Sequence, residues 1–209
     1  MRTLFWDVDT QHDFMRSSGK LYVSGSEEII PVLRRLTEHA HANGIRIVAS
    51  ADDHVAGHRE LSAQPDWKQS FPEHCMRGTP GQRKIAETQL RDPLVIEPEA
   101  EDPVALAARV RAHQGDILFH KHWFDVFTNP NLLPVLDALV PERIVLYGVA
   151  LDVCDKYAIE GLLRLRPGIA LTLVTDAVRA IDPGSGAALL EAWRHRGVRL
   201  ATSEEVLAA

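Results

Sequence analysis

The chain has 209 residues, of which 45% are hydrophobic and 25% are charged, and a formal net charge of -6 at pH 7. That length suits one sizeable core, so a single α/β domain over residues 1–209 is expected. The negative charge argues against nucleic acid as a partner, and no apolar run is long enough for a membrane span. With only Cys75 and Cys154 and no charged-then-apolar leader before the first strand, we expect a small-molecule protein of the reducing cytoplasm.

The first predicted strand, Thr3 to Val8, runs directly into a polar stretch that begins at Asp9. Asp7 and Asp9 share one face of this strand because side chains alternate along it. A carboxylate in or just after a buried strand is costly unless it is paired or hydrogen-bonded. Each of these two acids is therefore expected to cap a turn or to have a function.

A helix and a second strand precede a group of candidate metal ligands. The pattern Ser24-Gly25-Ser26-Glu27 predicts a capping box and a helix that ends at Asn43-Gly44, and the strand Ile45 to Ala49 follows. Asp52 and His54 then come two residues apart, so they point to the same side and could share an ion that His74 completes. Such a set leaves positions open for water or substrate and suits zinc, iron or manganese.

Two alternatives to this open metal site remain. The chain contains 10 histidines, so a cluster could arise by chance. A closed structural zinc site built from His54, His58, His74 and Cys75 would also have acceptable ligand types. Asp52 favours the open site, because a closed site would not need a hard carboxylate ligand.

The third predicted strand, Ile117 to Phe119, leads to Lys121 at its carboxyl end. Before it, a short helix is predicted for Gln82 to Thr88 and a longer one for Asp102 to Gly115. A single lysine is more often a solvated surface residue. Lys121 is thus a functional candidate only if other reactive groups lie beside it.

The fourth strand leads to a cysteine in the first turn of a helix. After a helix predicted for Leu132 to Leu139, the apolar run Ile144 to Val149 is typical of a strand buried on both faces. From Cys154 onward the apolar residues repeat with helical spacing. A helix N-terminus favours a thiolate, which makes Cys154 a candidate nucleophile. The alternative is a small core residue, since Cys154 lies on the buried stripe.

The last elements complete an alternation of strands and helices. The fifth strand, Ile169 to Val174, ends near Asp176, which is expected to cap a turn or to support the site, and a helix Gly184 to Arg196 and a short strand Val198 to Ala201 follow. The alternation predicts a three-layer α/β/α fold around a parallel sheet. Asp9, Lys121 and Cys154 would then meet at the carboxyl edge of the sheet, where ligands bind in such folds.

Five stretches of the sequence resemble the isochorismatase-like cysteine hydrolases, and within them the nicotinamidase branch. They are DTQHDFM from Asp9, ADDHVAGH from Ala51, FPEHC and RGTPG from Phe71, FHK ending at Lys121, and YGVALDVC ending at Cys154. The resemblance spans nearly the whole chain. It implies a Rossmann-like, six-stranded, mainly parallel sheet in the order 3-2-1-4-5-6.

The resemblance also implies roles for individual residues. It implies a catalytic triad of Asp9, Lys121 and Cys154. A cis peptide between Val149 and Ala150 would turn the Ala150 N–H toward the Cys154 N–H to form an oxyanion hole. The implied metal ligands are Asp52, His54 and His74, and His58 would be a further ligand or would support one. The implied pocket residues are Phe14, Phe71 and Val149. The alternative for the two phenylalanines is ordinary core packing.

The implied activity is hydrolysis of a small aromatic carboxamide, nicotinamide to nicotinate and ammonia, through a Cys154 thioester. Lys121 would favour the thiolate, and Asp9 would accept the thiol proton and return it to the leaving amine. The resemblance further implies one divalent metal ion, most readily zinc, a homo-oligomer and a role in NAD salvage. The alternatives are a relative acting on a carbamoyl or ureido compound, a vinyl-ether hydrolase, and a non-catalytic thiol or zinc protein.

Three positions depart from the nicotinamidase pattern. Phe71 stands where tryptophan is usual, and Asp53 stands where an aromatic residue is usual. Asp155 follows the nucleophile where an apolar residue is usual. Together with Asp152, it is expected to raise the pKa of the Cys154 thiol by adding negative charge.

Overall fold

The computed structural model describes residues 2–208, which contain one parallel sheet of seven strands. The strands are β1 (Thr3–Val8), β2 (Arg46–Asp52), β3 (Leu94–Ile96), β4 (Ile117–Lys121), β5 (Arg143–Val149), β6 (Ala170–Arg179) and β7 (Arg199–Ala201). Their order across the sheet is β3-β4-β2-β1-β5-β6-β7, and every neighbouring pair is parallel. This arrangement confirms the predicted α/β fold with a parallel sheet.

The predicted count of six strands is wrong, because β3 adds a seventh at the edge of the sheet. Without β3, the order is β4-β2-β1-β5-β6-β7. When these six strands are numbered 1 to 6 along the chain, this is the expected order 3-2-1-4-5-6. The β3 strand has only three residues, of which Ile96 alone is buried. A segment of three residues is too short to show a repeating pattern of hydrophobic residues, which is why the sequence does not reveal this strand.

Helices cover both faces of the sheet and give the predicted three layers. They are α1 (His12–Met15), α2 (Ser26–Ala42), α3 (Pro103–Ala112), α4 (Leu132–Leu139), α5 (Cys154–Leu165), α6 (Pro183–His195) and α7 (Ser203–Leu207). Apolar residues of α3, α4, α5 and α6 share one core with one face of the sheet, whereas α1, α2 and α7 pack on the other face. Burial of these two apolar layers is the main favourable term in folding. Among residues 2–208, no helix is long and apolar enough to cross a bilayer.

Two local predictions are wrong for identifiable reasons. The residue before α2 is Gly25 at φ 78, with no capping side chain, and Ser26 donates instead to the carbonyl of Phe14 at 2.9 Å. The predicted helix Gln82 to Thr88 is instead two 3-10 turns, Pro80–Gln82 and Ala86–Thr88. Between them, Ile85 N–H donates to the carbonyl of Thr10, so this segment pairs with the chain after β1 and does not coil.

The sheet order brings the ends of its central strands together. Asp52 and Lys121 are the last residues of β2 and β4 and are direct partners in the register of these strands. Gly148 near the end of β5 permits a close approach to β1, because a Cβ atom there would lie 2.1 Å from the Val8 carbonyl oxygen. Asp9 and Cys154 follow β1 and β5 at the same edge of the sheet. The topology therefore gathers these four side chains from distant parts of the sequence.

Candidate active site

Lys121 joins the two other residues of the expected triad. Its ammonium Nζ lies 2.9 Å from Asp9 Oδ2 and 3.8 Å from Cys154 Sγ, and it also contacts the carboxylate of Asp52. Lys121 is fully buried, so the alternative of a solvated surface lysine is wrong. Burial alone would lower the pKa of this amine, but the two carboxylates outweigh burial and hold the pKa well above its usual value. The structure thus brings a fixed cation next to the sulfur.

The two acids of β1 are both buried and both paired, as predicted. Asp9 adopts a left-handed backbone conformation at φ 48, and Ser50 Oγ donates to its Oδ1 at 2.7 Å. Asp7 points to a different partner, since Lys84 Nζ lies 2.9 Å from its Oδ2 and Thr10 donates to its Oδ1 at 2.8 Å. Of these two acids, only Asp9 contacts Lys121, whereas Asp7 is held at the following turn by Thr10 and Lys84.

Cys154 is the first residue of α5 and lies at an apolar cavity. It is 8% exposed and packs in the core cluster, so the core interpretation is correct for its packing. The cavity beside it is lined by Phe14, Leu21, Val23, Asp52, Glu60, Phe71, Phe124, Val149, Ala150, Val153 and Cys154. The peptide bond between Val149 and Ala150 is cis, as the resemblance implied. Within residues 2–208, neither the Ala150 N–H nor the Cys154 N–H has a hydrogen-bond acceptor.

Burial is the first cause of a raised pKa at the Cys154 thiol. Lys121 lowers this pKa, but burial together with the negative charges of Asp9 and Asp52 outweighs the ammonium. Asp155 is itself fully buried, which raises the pKa of its carboxyl well above the usual range and favours the neutral form. Asp152 accepts hydrogen bonds from the N–H groups of Ile181 and Asp182 before α6. The thiol pKa is therefore raised chiefly by burial, and the predicted charges of Asp152 and Asp155 are not among its leading causes.

We expect the alkylation of Cys154 by iodoacetamide to be slow near neutral pH and to accelerate with pH. Because the thiol pKa is raised, the thiolate is the minor form, and its fraction grows about tenfold per pH unit while the pH stays below that pKa. Mass spectrometry of the peptide containing Cys154 follows the rate, with Cys154→Ala showing the background from Cys75. A rate that is already maximal at neutral pH would contradict the raised pKa.

Four buried side chains form a candidate metal group, and two of them, Asp52 and Glu60, also line the cavity; the group is Asp52, His54, Glu60 and His74. Asp52 Oδ2 lies 3.8 Å from His54 Nε2 and 3.5 Å from His74 Nε2. Glu60 Oε2 lies 3.9 Å from His54 Nε2, and Glu60 Oε1 lies 3.6 Å from His74 Nε2. Separations of this size suit ligands that each stand about 2 Å from one shared ion.

Unsatisfied polar atoms support this fit to a metal. His54 Nε2, Glu60 Oε2 and His74 Nε2 are buried without a hydrogen-bond partner among the described residues. Leaving three such atoms unpaired would be costly unless a further group satisfies them. Two imidazoles and two carboxylates are ligand types that suit zinc, iron or manganese.

The pKa values of the two histidines shift in opposite directions, because burial dominates at His54 and the carboxylates dominate at His74. Burial lowers the pKa of His54 to about 4. Burial acts in the same direction on His74, but its contacts with Asp52 and Glu60 outweigh burial and raise its pKa to about 10. His74 therefore carries a proton at neutral pH that an incoming metal ion must displace.

The structure also places the residues of the alternative sites. Cys75 lies outside the four-residue group, and within residues 2–208 the one hydrogen-bond contact of its sulfur is with the carbonyl of Gly81, at 3.8 Å, so the closed zinc site is not assembled. His58 approaches the ring nitrogen of His54 on the far side from the group, with 3.2 Å between the two Nδ1 atoms. His58 is thus placed to orient His54. Asp53 points elsewhere and pairs with Arg77.

Sequence reasoning missed Glu60 and part of the cavity wall. Glu60 lies in an irregular loop, where it is held by Phe71 N–H donating to its carbonyl at 2.7 Å. No sequence period marks such a residue, and the acid six residues after His54 was the only available signal. The predicted pocket residues Phe14, Phe71 and Val149 do line the cavity, but Leu21, Phe124 and Val153 join them from other parts of the fold. The two phenylalanine rings lie 5.4 and 6.4 Å from the His74 ring.

Comparison with known proteins identifies the family. Residues 4–205 match the family model described as the isochorismatase domain. The chain belongs to the isochorismatase family. This isochorismatase-family chain is 27% identical over 199 residues to a nicotinamidase/pyrazinamidase of Mycobacterium tuberculosis (strain ATCC 25618 / H37Rv), with 94% of this chain and 96% of the relative covered.

Two further proteins are similar to this chain over nearly its whole length. A probable inactive nicotinamidase of Arabidopsis thaliana is 24% identical, with 95% of this chain and 91% of the relative covered. The crystal structure of the pyrazinamidase of Pyrococcus horikoshii in complex with zinc superposes with a TM-score of 0.74 at 22% identity, covering 97% of this chain and 99% of that one. The family and its nicotinamidase-like relatives are thus established, as the sequence motifs implied.

Proposed function

We propose that this isochorismatase-family protein is a metal-dependent cysteine amidohydrolase that converts nicotinamide, or a similar small aromatic carboxamide, to the acid and ammonia. The observation that carries the proposal is the convergence of Asp9, Lys121 and Cys154 at an apolar cavity whose lining includes Asp52 and Glu60 of the candidate metal group. Similarity to a nicotinamidase/pyrazinamidase supports the choice of substrate.

The residues of the site supply each step of amide hydrolysis. Asp9 accepts the thiol proton, and the Cys154 thiolate attacks the amide carbon while Lys121 remains a cation beside both groups. The N–H groups of Ala150 and Cys154 hold the developing oxyanion. Asp9 then returns the proton to the leaving nitrogen, ammonia departs, and water hydrolyses the Cys154 thioester to the acid. The raised thiol pKa fits this sequence, because the proton is removed at the moment of attack and not beforehand.

Asp52, His54, Glu60 and His74 would hold the metal ion, of which zinc suits the ligands well and iron or manganese also fit. When bound, the ion supplies a Lewis acid for a ring nitrogen and for water. The protein positions the ring: Phe14 and Phe71 flank His74 at the cavity wall. The aromatic residues exclude water from the far side of the substrate.

The charges around the cavity favour a neutral substrate. Its lining residues include the acids Asp52 and Glu60 and no lysine or arginine. Lys121, the buried cation nearby, is already paired with Asp9 and Asp52. A ureido compound that bears a carboxylate, or a vinyl ether of the isochorismate type, would bring further negative charge to a cavity that has no lysine or arginine in its lining to pair with it. These alternatives are therefore less favourable than an uncharged carboxamide.

An ammonia-release assay tests the proposal. We expect the zinc-loaded protein to release ammonia from nicotinamide and pyrazinamide, to act weakly on benzamide, which lacks the ring nitrogen, and to leave a ureido acid unchanged. A chelator should abolish the activity, and added Zn²⁺ should restore it. Release from the ureido acid alone would overturn the choice of substrate, and full activity with chelator would overturn metal dependence.

A further inference from the structure

The geometry points to Arg59 and Trp123 as a pair of positioning residues that holds Glu60 at the metal group. This inference rests on the proposed function, because it concerns the metal that the proposed reaction uses. Arg59 lies in the covering loop, defined as residues 55–71, which contributes Glu60 and Phe71 to the cavity wall, and Arg59 directly precedes Glu60. Its guanidinium carbon stands 3.8 Å from the centroid of the Trp123 ring. A guanidinium at that distance over an indole face makes a favourable cation–π contact.

The covering loop meets the segment after β4 through two successive side-chain pairs. Next to the Arg59 pair, the rings of His58 and His122 are 4.2 Å apart. Across residues 2–208, no carboxylate lies within ion-pair distance of Arg59, so the Trp123 ring is the partner that fixes this side chain. By contrast, the backbone hydrogen bonds of Glu60 and Ser62 go to Phe71, inside the same loop. The side-chain pairs therefore attach the start of the loop to the β4 side of the site.

Trp123 extends the connection to the substrate cavity and the nucleophile helix. Its ring lies 4.2 Å from the ring of Phe124, which lines the cavity, and Phe124 lies 5.0 Å from Tyr157 of α5. Arg59 is thus the outer end of an aromatic stack that reaches from the loop to the helix that begins with Cys154. Because Trp123 is fixed by this stack, it offers a rigid surface on which Arg59 can rest.

The position of Glu60 depends on this attachment. Glu60 is only 2% exposed, although its neighbour Arg59 is exposed at the surface. A glutamate that must stay buried beside Asp52 and two histidines gains from a fixed backbone at the preceding residue. Residues that orient metal ligands typically contribute about 10- to 100-fold to metal affinity. Loss of the stack should therefore weaken metal binding without removing any ligand.

A competition titration of Zn²⁺ against a chromogenic chelator, with the full chain and no substrate, tests the pair. We expect Arg59→Ala and Trp123→Ala each to weaken Zn²⁺ binding about tenfold. The double variant should bind Zn²⁺ no more weakly than the single variant with the lower affinity, because both substitutions remove the same contact. Arg59→Lys should lie between the parent and Arg59→Ala, since lysine keeps the charge but loses the planar stack. The melting temperature without metal should be nearly unchanged in Arg59→Ala.

Lys156→Ala provides the matched control. Lys156 Nζ lies 5.9 Å from the Tyr157 ring, in the same group of aromatic residues but away from Glu60. Its Zn²⁺ affinity should stay within about twofold of the parent, since no metal ligand is attached to it. The inference is overturned if Arg59→Ala binds Zn²⁺ as tightly as the parent, if the two single effects multiply in the double variant, or if the parent binds no Zn²⁺. Failure of nicotinamide hydrolysis, with these affinities as expected, would count against the proposed function alone.

Discussion

Replacing Cys154 with alanine is expected to abolish ammonia release from nicotinamide while leaving the fold intact. The lining residues of the cavity include one thiol and no hydroxyl or amine, and this sulfur lies 3.8 Å from Lys121 Nζ. Removing the nucleophile of a catalytic group that acts as a unit commonly lowers kcat by about 10⁴-fold or more. The rate of ammonia release with saturating nicotinamide measures the effect, and circular dichroism checks the fold.

Cys75→Ala is the control for this experiment, since Cys75 is the other free, buried cysteine. Its sulfur has one weak contact, to the carbonyl of Gly81, so the variant should keep most of the activity. Comparable turnover by Cys154→Ala and the parent would remove the nucleophile assignment and leave Cys154 as a core residue.

Replacing His74 with alanine should cost the protein its metal ion. His74 Nε2 faces both carboxylates of the group, at 3.5 Å from Asp52 and 3.6 Å from Glu60, and the variant leaves these acids with one histidine. We expect the metal content after dialysis to fall from about one ion per chain to near zero, with loss of ammonia release. Elemental analysis by mass spectrometry measures the ion directly.

His195→Ala serves as the matched histidine control. His195 lies on α6 with a side chain that is 68% exposed, and it pairs with Glu191 one turn earlier on the same helix. Metal content and activity should match those of the parent. Stoichiometric metal retained by His74→Ala would show that the ligands are other residues.

The fold could be predicted where strands are long and apolar. The strands β1, β2, β4, β5 and β6 each contain a buried run that the sequence displays directly, whereas β3 is short and α1 has only four residues. The predicted ends of β2 and β4 fall short of Asp52 and Lys121, because polar residues at the end of a strand look like loop. Hydrogen bonds to a neighbouring strand extend both strands to these residues.

The part of the candidate site that follows from the strand order of the sheet could be predicted from the sequence. Asp9, Lys121 and Cys154 follow central strands, so any parallel sheet in this order brings them together. Glu60 depends on how an irregular loop folds back, and the direction of the His58 ring depends on packing against His122. Neither follows from local sequence pattern. The single domain over residues 1–209, the homo-oligomer, the cytoplasmic location and the role in NAD salvage remain predictions.

Lys121 connects the expected triad to the candidate metal group, because its ammonium contacts both Asp9, of the triad, and Asp52, of the metal group. A divalent cation held by Asp52 takes up much of that carboxylate's charge, so more of the lysine's field acts on Asp9 and the sulfur. In the metal-free protein, the Cys154 thiol would consequently react slowly with oxidants and alkylating agents. Metal binding would therefore make Cys154 more reactive and, at the same time, complete the binding site for the substrate ring.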